Sequence, residues 1–499
     1  MENRLKDFHH SFHLNLLEEC NEDKRKSILD RLNLERQTEK MSLMEENRND
    51  NFISYLLFLQ RDYTKAEETN TKVIDRDDKN IVALANRVRF TNKTDIYKAN
   101  MYLDELEDMA KKHPDYERMR TVAKAELAFC FARMSPKCYL RALEIYKSVI
   151  EKYPLEYLWK FGEGLTLKRY ITQFSKSTDP NRDIIGDIVR CYEVLRNVAE
   201  NAEKPLNAKA WVQLGELKCA IDSEKGPFNA DMTKRLEEKI NFIPPKECYD
   251  RALKLCPDDD AFVLERSGIY HSQVMKDCEK AQQLLKRAIQ IRPTVMSHLH
   301  LALTIKQQAR EWELKFQSGF KSNPYFNLSR DNPSIESLIG HLEQAIKISK
   351  GSNTSTLKEM AFTHLQLEDY DRAEVTFRQI VQTPDEDTPA FIKVNACEQL
   401  AFLCLRKSKN KEISNGKRND LERECFFYIR HAIETAIRMN MERTFNKEDF
   451  KKRHAFREIT KDLEKSDNAN TLDKVAQLFY LLGDDERALA IRGRIPGDV

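Results

Sequence analysis

The chain has 499 residues, of which 33% are charged and 41% hydrophobic, with only 13 glycines, 15 prolines and a formal net charge of +2. A balance so poor in helix breakers is typical of helical repeat or multi-domain proteins. No apolar run nears the roughly 18 residues that a membrane span needs.

No charged-then-apolar leader opens the chain, and its 11 cysteines include no Cys-x-x-Cys pair. Free thiols in a reducing compartment are therefore expected, and with them a cytoplasmic location.

Taken in chain order, residues 1–50 are predicted to form N-terminal helices. His9 and His13 there would share a helix face, and with His10 they read as surface histidines rather than a metal site. Residues 51–245 are expected to form a first repeat subdomain. Ala66 and Val73 mark an early copy; Ala142, Tyr146, Val149 and Pro154 give the full pattern. Residues 246–405 form a central one, with Tyr249, Ala252 and Pro257, then Ala281, Leu285, Ala288 and Pro293, then Ala373, Phe377, Ile380 and Pro384. Residues 406–499 close the chain as a basic helical subdomain with a degraded copy at Gly483 and Ala488.

The pattern has a packing reason. Alanine lets two antiparallel helices approach, the aromatic or bulky residue one turn later seals the next pair, and proline ends the second helix. These segments resemble tetratricopeptide repeats of about 34 residues. The predicted fold is thus all-α, with tetratricopeptide-repeat helix pairs wound into a superhelix and non-repeat helices inserted. Uneven spacing places insertions at 171–183, 221–245 and 317–334, and residues 351–356 and 408–420 read as loops.

Chemistry-bearing motifs are missing. There is no phosphate-binding Gly-x-x-x-x-Gly-Lys-Ser/Thr loop, no Gly-x-Ser-x-Gly elbow and no His-Glu-x-x-His helix. Gly162-Glu-Gly164 lacks the third glycine of a dinucleotide fingerprint, and His298 and His300 point apart on a helix. Neither an enzyme nor a cofactor is expected. Residues 406–461 hold 16 Lys/Arg and 9 Asp/Glu, a local excess of +7 that leaves −5 elsewhere. Such a run is either a solvated helix face or a surface for polyanions.

The segment Phe129-Cys-Phe-Ala-Arg133, followed by Tyr139-Leu-Arg-Ala142, is similar to one found in the interferon-induced proteins with tetratricopeptide repeats. In that family a tryptophan, a lysine and a tyrosine at this spacing line a pocket for the 5′ end of RNA. The ungapped match puts Phe129, Arg133 and Tyr139 at those positions, and Arg169 on the family's phosphate-binding arginine. Further likeness runs through Phe12 to Leu16, Ile28 to Leu32, Tyr102-Leu-Asp-Glu-Leu-Glu107, Pro293 to Lys306, Arg453 to Leu463 and Leu481 to Gly483. Departures are clear as well. Ser27 and Arg31 stand where some members have arginine and glutamine; Leu299-His300 replaces a His-Gln pair; Phe262 to Arg266 replaces Tyr-Val-Leu-Arg-Tyr.

The resemblance implies an innate-immune antiviral protein that captures the 5′ end of single-stranded RNA, triphosphate or incompletely methylated cap, and blocks its translation. Arg31, Arg133, Arg169 and Tyr139 would hold phosphate, and Phe129 with Leu165 would stack on a base or cap. Further RNA contacts would fall to Ser27, Phe262, Arg266, His300, Lys451, Lys452 and Arg453. Homo- or hetero-oligomers with related repeat proteins are implied too. Two readings stay open: Phe129 as an ordinary repeat aromatic with Arg133 and Arg169 in structural ion pairs, and the whole chain as a repeat adaptor with little RNA affinity.

Overall fold

A computed structural model describes residues 2–6, 8–38, 41–174, 183–223, 230–256, 260–316, 328–385, 388–410, 412–438, 450–465 and 469–495. Among these residues every regular element is a helix. The chain divides into two compact units, Met1–Ser267 and Gly268–Val499.

The first unit opens with α1 (Glu2–Leu5), a 3-10 turn (Ser11–Leu14), α2 (Leu16–Glu19) and α3 (Glu22–Thr38). Antiparallel pairs follow. They are α4 (Leu43–Leu59) with α5 (Tyr63–Arg76), α6 (Ile81–Thr91) with α7 (Ile96–Lys112), and α8 (Tyr116–Met134) with α9 (Tyr139–Lys152). Next come α10 (Tyr157–Phe174) with α11 (Ile184–Asn201), and α12 (Leu206–Asp222) with α14 (Pro245–Leu255), α13 (Ala230–Lys239) lying between them in sequence. The unit boundary falls within α15 (Ala261–Gln273).

The second unit continues with α16 (Cys278–Ile291), α17 (Val295–Phe316), α18 (Ile335–Ile348), α19 (Thr354–Gln366) and α20 (Tyr370–Gln382). It ends in α21 (Ala390–Ser408), α22 (Asn415–Arg438), α23 (His454–Leu463), α24 (Ala469–Leu481) and α25 (Asp485–Arg492). Among the described residues no helix is long and apolar enough to cross a membrane.

The repeat positions behave as the packing argument requires. Ala66, Ala142, Ala281, Ala373 and Ala488 are fully buried, as are Tyr146, Leu285 and Phe377. A Cβ at Gly162 on α10 would lie 2.5 Å from Tyr146 Oη, so the sealing tyrosine of one pair needs a glycine on the next. A second regularity starts the second helix of a pair. Asp62, Asp95, Asp277, Asp369 and Asp484 each stand four residues before the tight alanine, and each carboxylate accepts the backbone N–H three residues on. That is an N-cap. In four of these turns the preceding residue, Arg61, Lys276, Glu368 or Gly483, takes the left-handed conformation that ends the first helix.

The structure corrects two expectations. Residues 351–356 and 408–420 are not wholly loops: α19 starts at Thr354 and α22 at Asn415, because Asn353 and Ser414 side chains accept from Thr356 and Lys417 N–H and open the first turns. His10 is fully buried and stacks on His13 at 3.9 Å around a 3-10 turn, so these are not histidines on a helix surface. The insertion expected at 221–245 contains the helix α13; residues 175–182 and 317–327 of the other two expected insertions lie outside the described residues.

N-terminal residues are integral to the first unit. Leu14, Leu16, Ile28 and Leu32 share one apolar cluster with Phe52 and Leu56 of α4 and with Phe129 and Phe131 of α8. This packing brings α3 beside the C-terminal half of α8, where the candidate cations lie.

Candidate functional site

A cavity of about 520 Å³ opens inside the first unit between α3, α4, α8, α9, α10, α12 and α15. Its lining holds six cations, Arg48, Arg133, Lys168, Arg169, Lys209 and Arg266, against three carboxylates, Glu35, Glu45 and Glu216. Phe129, Tyr139, Tyr146, Leu158, Phe161, Leu165 and Phe262 supply the apolar walls.

Helix geometry explains the convergence. Phe129 and Arg133 are one turn apart on α8, as are Leu165 and Arg169 on α10, so each pair shares a face. Arg133 is 15% exposed; its Nη2 donates to Glu35 Oε2 at 3.2 Å and its guanidinium lies 3.7 Å from the Phe129 ring centre. Arg169 Nη1 donates to the carbonyl of Ala132 at 3.0 Å. Arg266 lies 3.6 Å from Glu216 and 5.5 Å from the Phe262 ring. Lys168 bonds Gln213 at 2.8 Å and pairs with Glu216.

These cations are undercompensated. Among the described residues the buried Nε atoms of Arg48, Arg133 and Arg266 have no hydrogen-bond partner, although that of Arg266 faces Glu216. Burial pushes the Arg169 guanidinium below its ordinary pKa, and the charge of Arg133 pushes the same way. Buried guanidiniums with spare donors have the fixed fork geometry that phosphate oxygens fill.

The sequence-derived residues fall into three groups. Phe129, Arg133, Tyr139, Leu165, Arg169, Phe262 and Arg266 all line the one cavity. Arg31 stands beside that lining on α3: it is 47% exposed, lies 4.0 Å from Glu35, and is held down to about 10 by burial and then by the charge of Arg133, with Arg169 adding to it. Ser27 is exposed and outside the lining. In the second unit, His300 is buried with Nδ1 3.5 Å from Gln273 Nε2. Lys451 pairs with Asp484 at 2.9 Å, Arg453 binds the buried Glu398 with two nitrogens at 2.6 and 2.5 Å, and Lys452 is exposed.

Phe129 differs from the stacking platform expected of it. Its ring is 2% exposed and is covered by Arg48 at 4.1 Å and Arg133 at 3.7 Å, so the faces meet guanidiniums rather than open space. Arg48, Glu35 and Lys209 were not foreseen. Arg48 lies 81 positions before Phe129 in an Asn-rich turn of α4, and only the tertiary fold brings them together.

A second cavity of about 730 Å³ adjoins the first, sharing Glu45, Leu158 and Lys209. Met41, Leu155, Tyr157, Pro205 and Leu206 give it a more apolar wall.

No protein-family model and no curated protein sequence matches the chain. Among solved structures it is similar to human IFIT1 in a dimer with m7Gppp-AAAA, at 16% identity and a TM-score of 0.59. It is similar to the human IFIT1 dimer with PPP-AAAA at 17% and 0.58, and to a monomeric IFIT1 mutant with Gppp-AAAA at 15% and 0.57. Each comparison covers 99% of this chain and 98% of the other. The likeness is one of fold: this chain has a tetratricopeptide-type helical architecture, as IFIT1 does.

Proposed function

We propose that the chain is a non-catalytic, interferon-induced type of antiviral repeat protein that takes the 5′ end of single-stranded RNA, triphosphate or incompletely methylated cap, into the cavity of its first unit. One observation carries the reading: a half-open cavity with six cations against three carboxylates, in which three arginines keep a buried Nε with no hydrogen-bond partner among the described residues. Desolvated like charges held this way are costly without an anion, and a terminal triphosphate is compact, multiply charged and rich in acceptors. The fold shared with IFIT1, whose solved complexes contain PPP-AAAA and m7Gppp-AAAA, agrees with that choice.

Arg133 and Arg169 then hold phosphates, Tyr139 bonds a phosphate or ribose oxygen, and Arg31 guides the end inward from the rim. The adjoining cavity leaves room beyond the phosphates for the first base or a cap guanine. An RNA end held here is withheld from translation factors, and the cytoplasm is where that matters.

The test is binding of one short single-stranded RNA carrying a 5′ triphosphate, a 5′ monophosphate or a 5′ hydroxyl. The expected order follows phosphate charge, with affinity falling steeply as salt rises. Equal affinities for the three ends would contradict the reading and favour a repeat adaptor.

A further inference from the structure

We propose that Arg48 is a phosphate-binding residue of this cavity and that Phe129 serves as the layer spacing Arg48 and Arg133, so that two guanidiniums grip one anionic end. The inference rests on the reading that the cavity takes a polyphosphate terminus.

Arg48 sits on α4, the first helix of the first repeat pair. It is 15% exposed, lines the cavity, and its guanidinium lies 4.1 Å from the Phe129 ring centre. Arg133 lies 3.7 Å from the same ring. Cation–π contact compensates each guanidinium partly and fixes its plane, but leaves its N–H edges able to hydrogen-bond, and each arginine gives only one such bond to a glutamate among the described residues. Among the described residues Arg48 has one ion-pair partner, Glu45 at 3.5 Å, and its Nε has no hydrogen-bond partner. The Arg133 Nε is unpartnered as well.

Such a pair repels itself across the ring. Burial pushes the Arg48 guanidinium below its ordinary pKa, with the carboxylate of Glu45 opposing that and the charge of Arg133 adding to it. An anion contacting both edges removes the repulsion and satisfies the idle donors in one step. The same arrangement leaves Phe129 no bare face for a base, so base or cap contacts must come from the neighbouring cavity and the phosphates alone engage the stack.

The experiment uses the full chain, the short RNA with a 5′ triphosphate and the same RNA with a 5′ hydroxyl. Arg48→Gln is expected to weaken triphosphate binding about tenfold or more, leave the hydroxyl RNA unchanged, and lower the salt slope by about 0.7. Glu45→Gln keeps the helix-capping pattern with Ser42, which Glu or Gln can complete, and frees Arg48; it is expected to tighten triphosphate binding about threefold. Triphosphate affinity of Arg48→Gln within about twofold of native, or an equal loss for both RNAs, would overturn the proposal. If far-UV circular dichroism shows that Arg48→Gln does not fold, the Glu45→Gln arm decides: unchanged or weaker triphosphate binding overturns it. An Arg133→Gln arm separates the two claims. No triphosphate preference in the native chain sinks the functional reading itself; a preference lost in Arg133→Gln but kept in Arg48→Gln sinks only the role of Arg48.

Discussion

The cavity of the first unit and the basic stretch of the second both present clustered cations, yet they use them in opposite ways. In the stretch from 406 to 461 many of the described cations have carboxylate partners: Lys407 with Asp371 and Glu374, Lys409 with Asp462, Arg430 with Glu434, Arg438 with Asp385, Lys451 with Asp484 and Arg453 with Glu398. Much of the positive charge of this stretch therefore goes into ion pairs, several of which fasten one helix to another, as Lys407 does α21 to α20 and Arg453 does α23 to α21. The cavity has fewer cations, but Arg48 and Arg133 are only 15% exposed, stack on Phe129, and each keeps a buried Nε with no hydrogen-bond partner among the described residues. Density of charge marks a surface; incomplete pairing under burial marks a site.

The contrast can be broken or sharpened by mutation. In the cavity, Arg169→Gln should weaken triphosphate RNA about 30-fold or more, since a desolvated charge contact is lost. Thermal stability should change little, and a large drop in Tm with unchanged affinity would make Arg169 structural. In the second unit, Arg453→Gln should do the reverse. Glu398, whose side chain is 4% exposed, would be left as an unpaired buried carboxylate, costing about 3 kcal/mol. Denaturant unfolding should show that loss while the triphosphate preference of the full chain stays intact.

A third prediction concerns pH. Glu126 on α8 is buried and accepts from Asn51 at 2.7 Å and Asn80 at 3.0 Å, yet burial pushes its carboxyl up to about 7. An unfolded glutamate titrates near 4.3, so between the two values the folded chain holds a proton that the unfolded chain has released. The stability this group supplies is full below the lower value and is lost as pH rises through about 7. Relative to Glu126→Gln, the native chain should lose about 2 kcal/mol from pH 5 to pH 8. A pH-independent difference would contradict the assignment. The smallest effect is expected at Arg423, an exposed partner of Asp420 at 3.5 Å: Arg423→Ala should change stability by less than about 0.5 kcal/mol.

Much of the fold was legible because its determinants are local. Alanine, a bulky residue one turn later and proline recur at fixed spacing, and each encodes a packing constraint readable without a partner. Helix starts at Thr354 and Asn415 were missed because Gly-Ser-Asn-Thr-Ser-Thr reads as loop by composition, although its asparagine is an N-cap. The cavity was half legible. Phe129 with Arg133 and Leu165 with Arg169 are helix-spaced pairs visible in one dimension. Arg48, Glu35 and Lys209 reach the same space from other helices, and no spacing rule links them. The role of Phe129 was also hidden, because what covers an aromatic ring depends on which residues the fold sets against it.

The most direct measurement is the ratio of dissociation constants for the 5′-hydroxyl and 5′-triphosphate forms of one RNA, in the native chain and in Arg133→Glu. A native ratio of about 100 or more that collapses to near 1 in the variant, with unchanged helicity and Tm, is the expected result. A ratio near 1 in both proteins would contradict a phosphate-binding cavity and leave Phe129, Arg133 and Tyr139 as parts of the repeat scaffold.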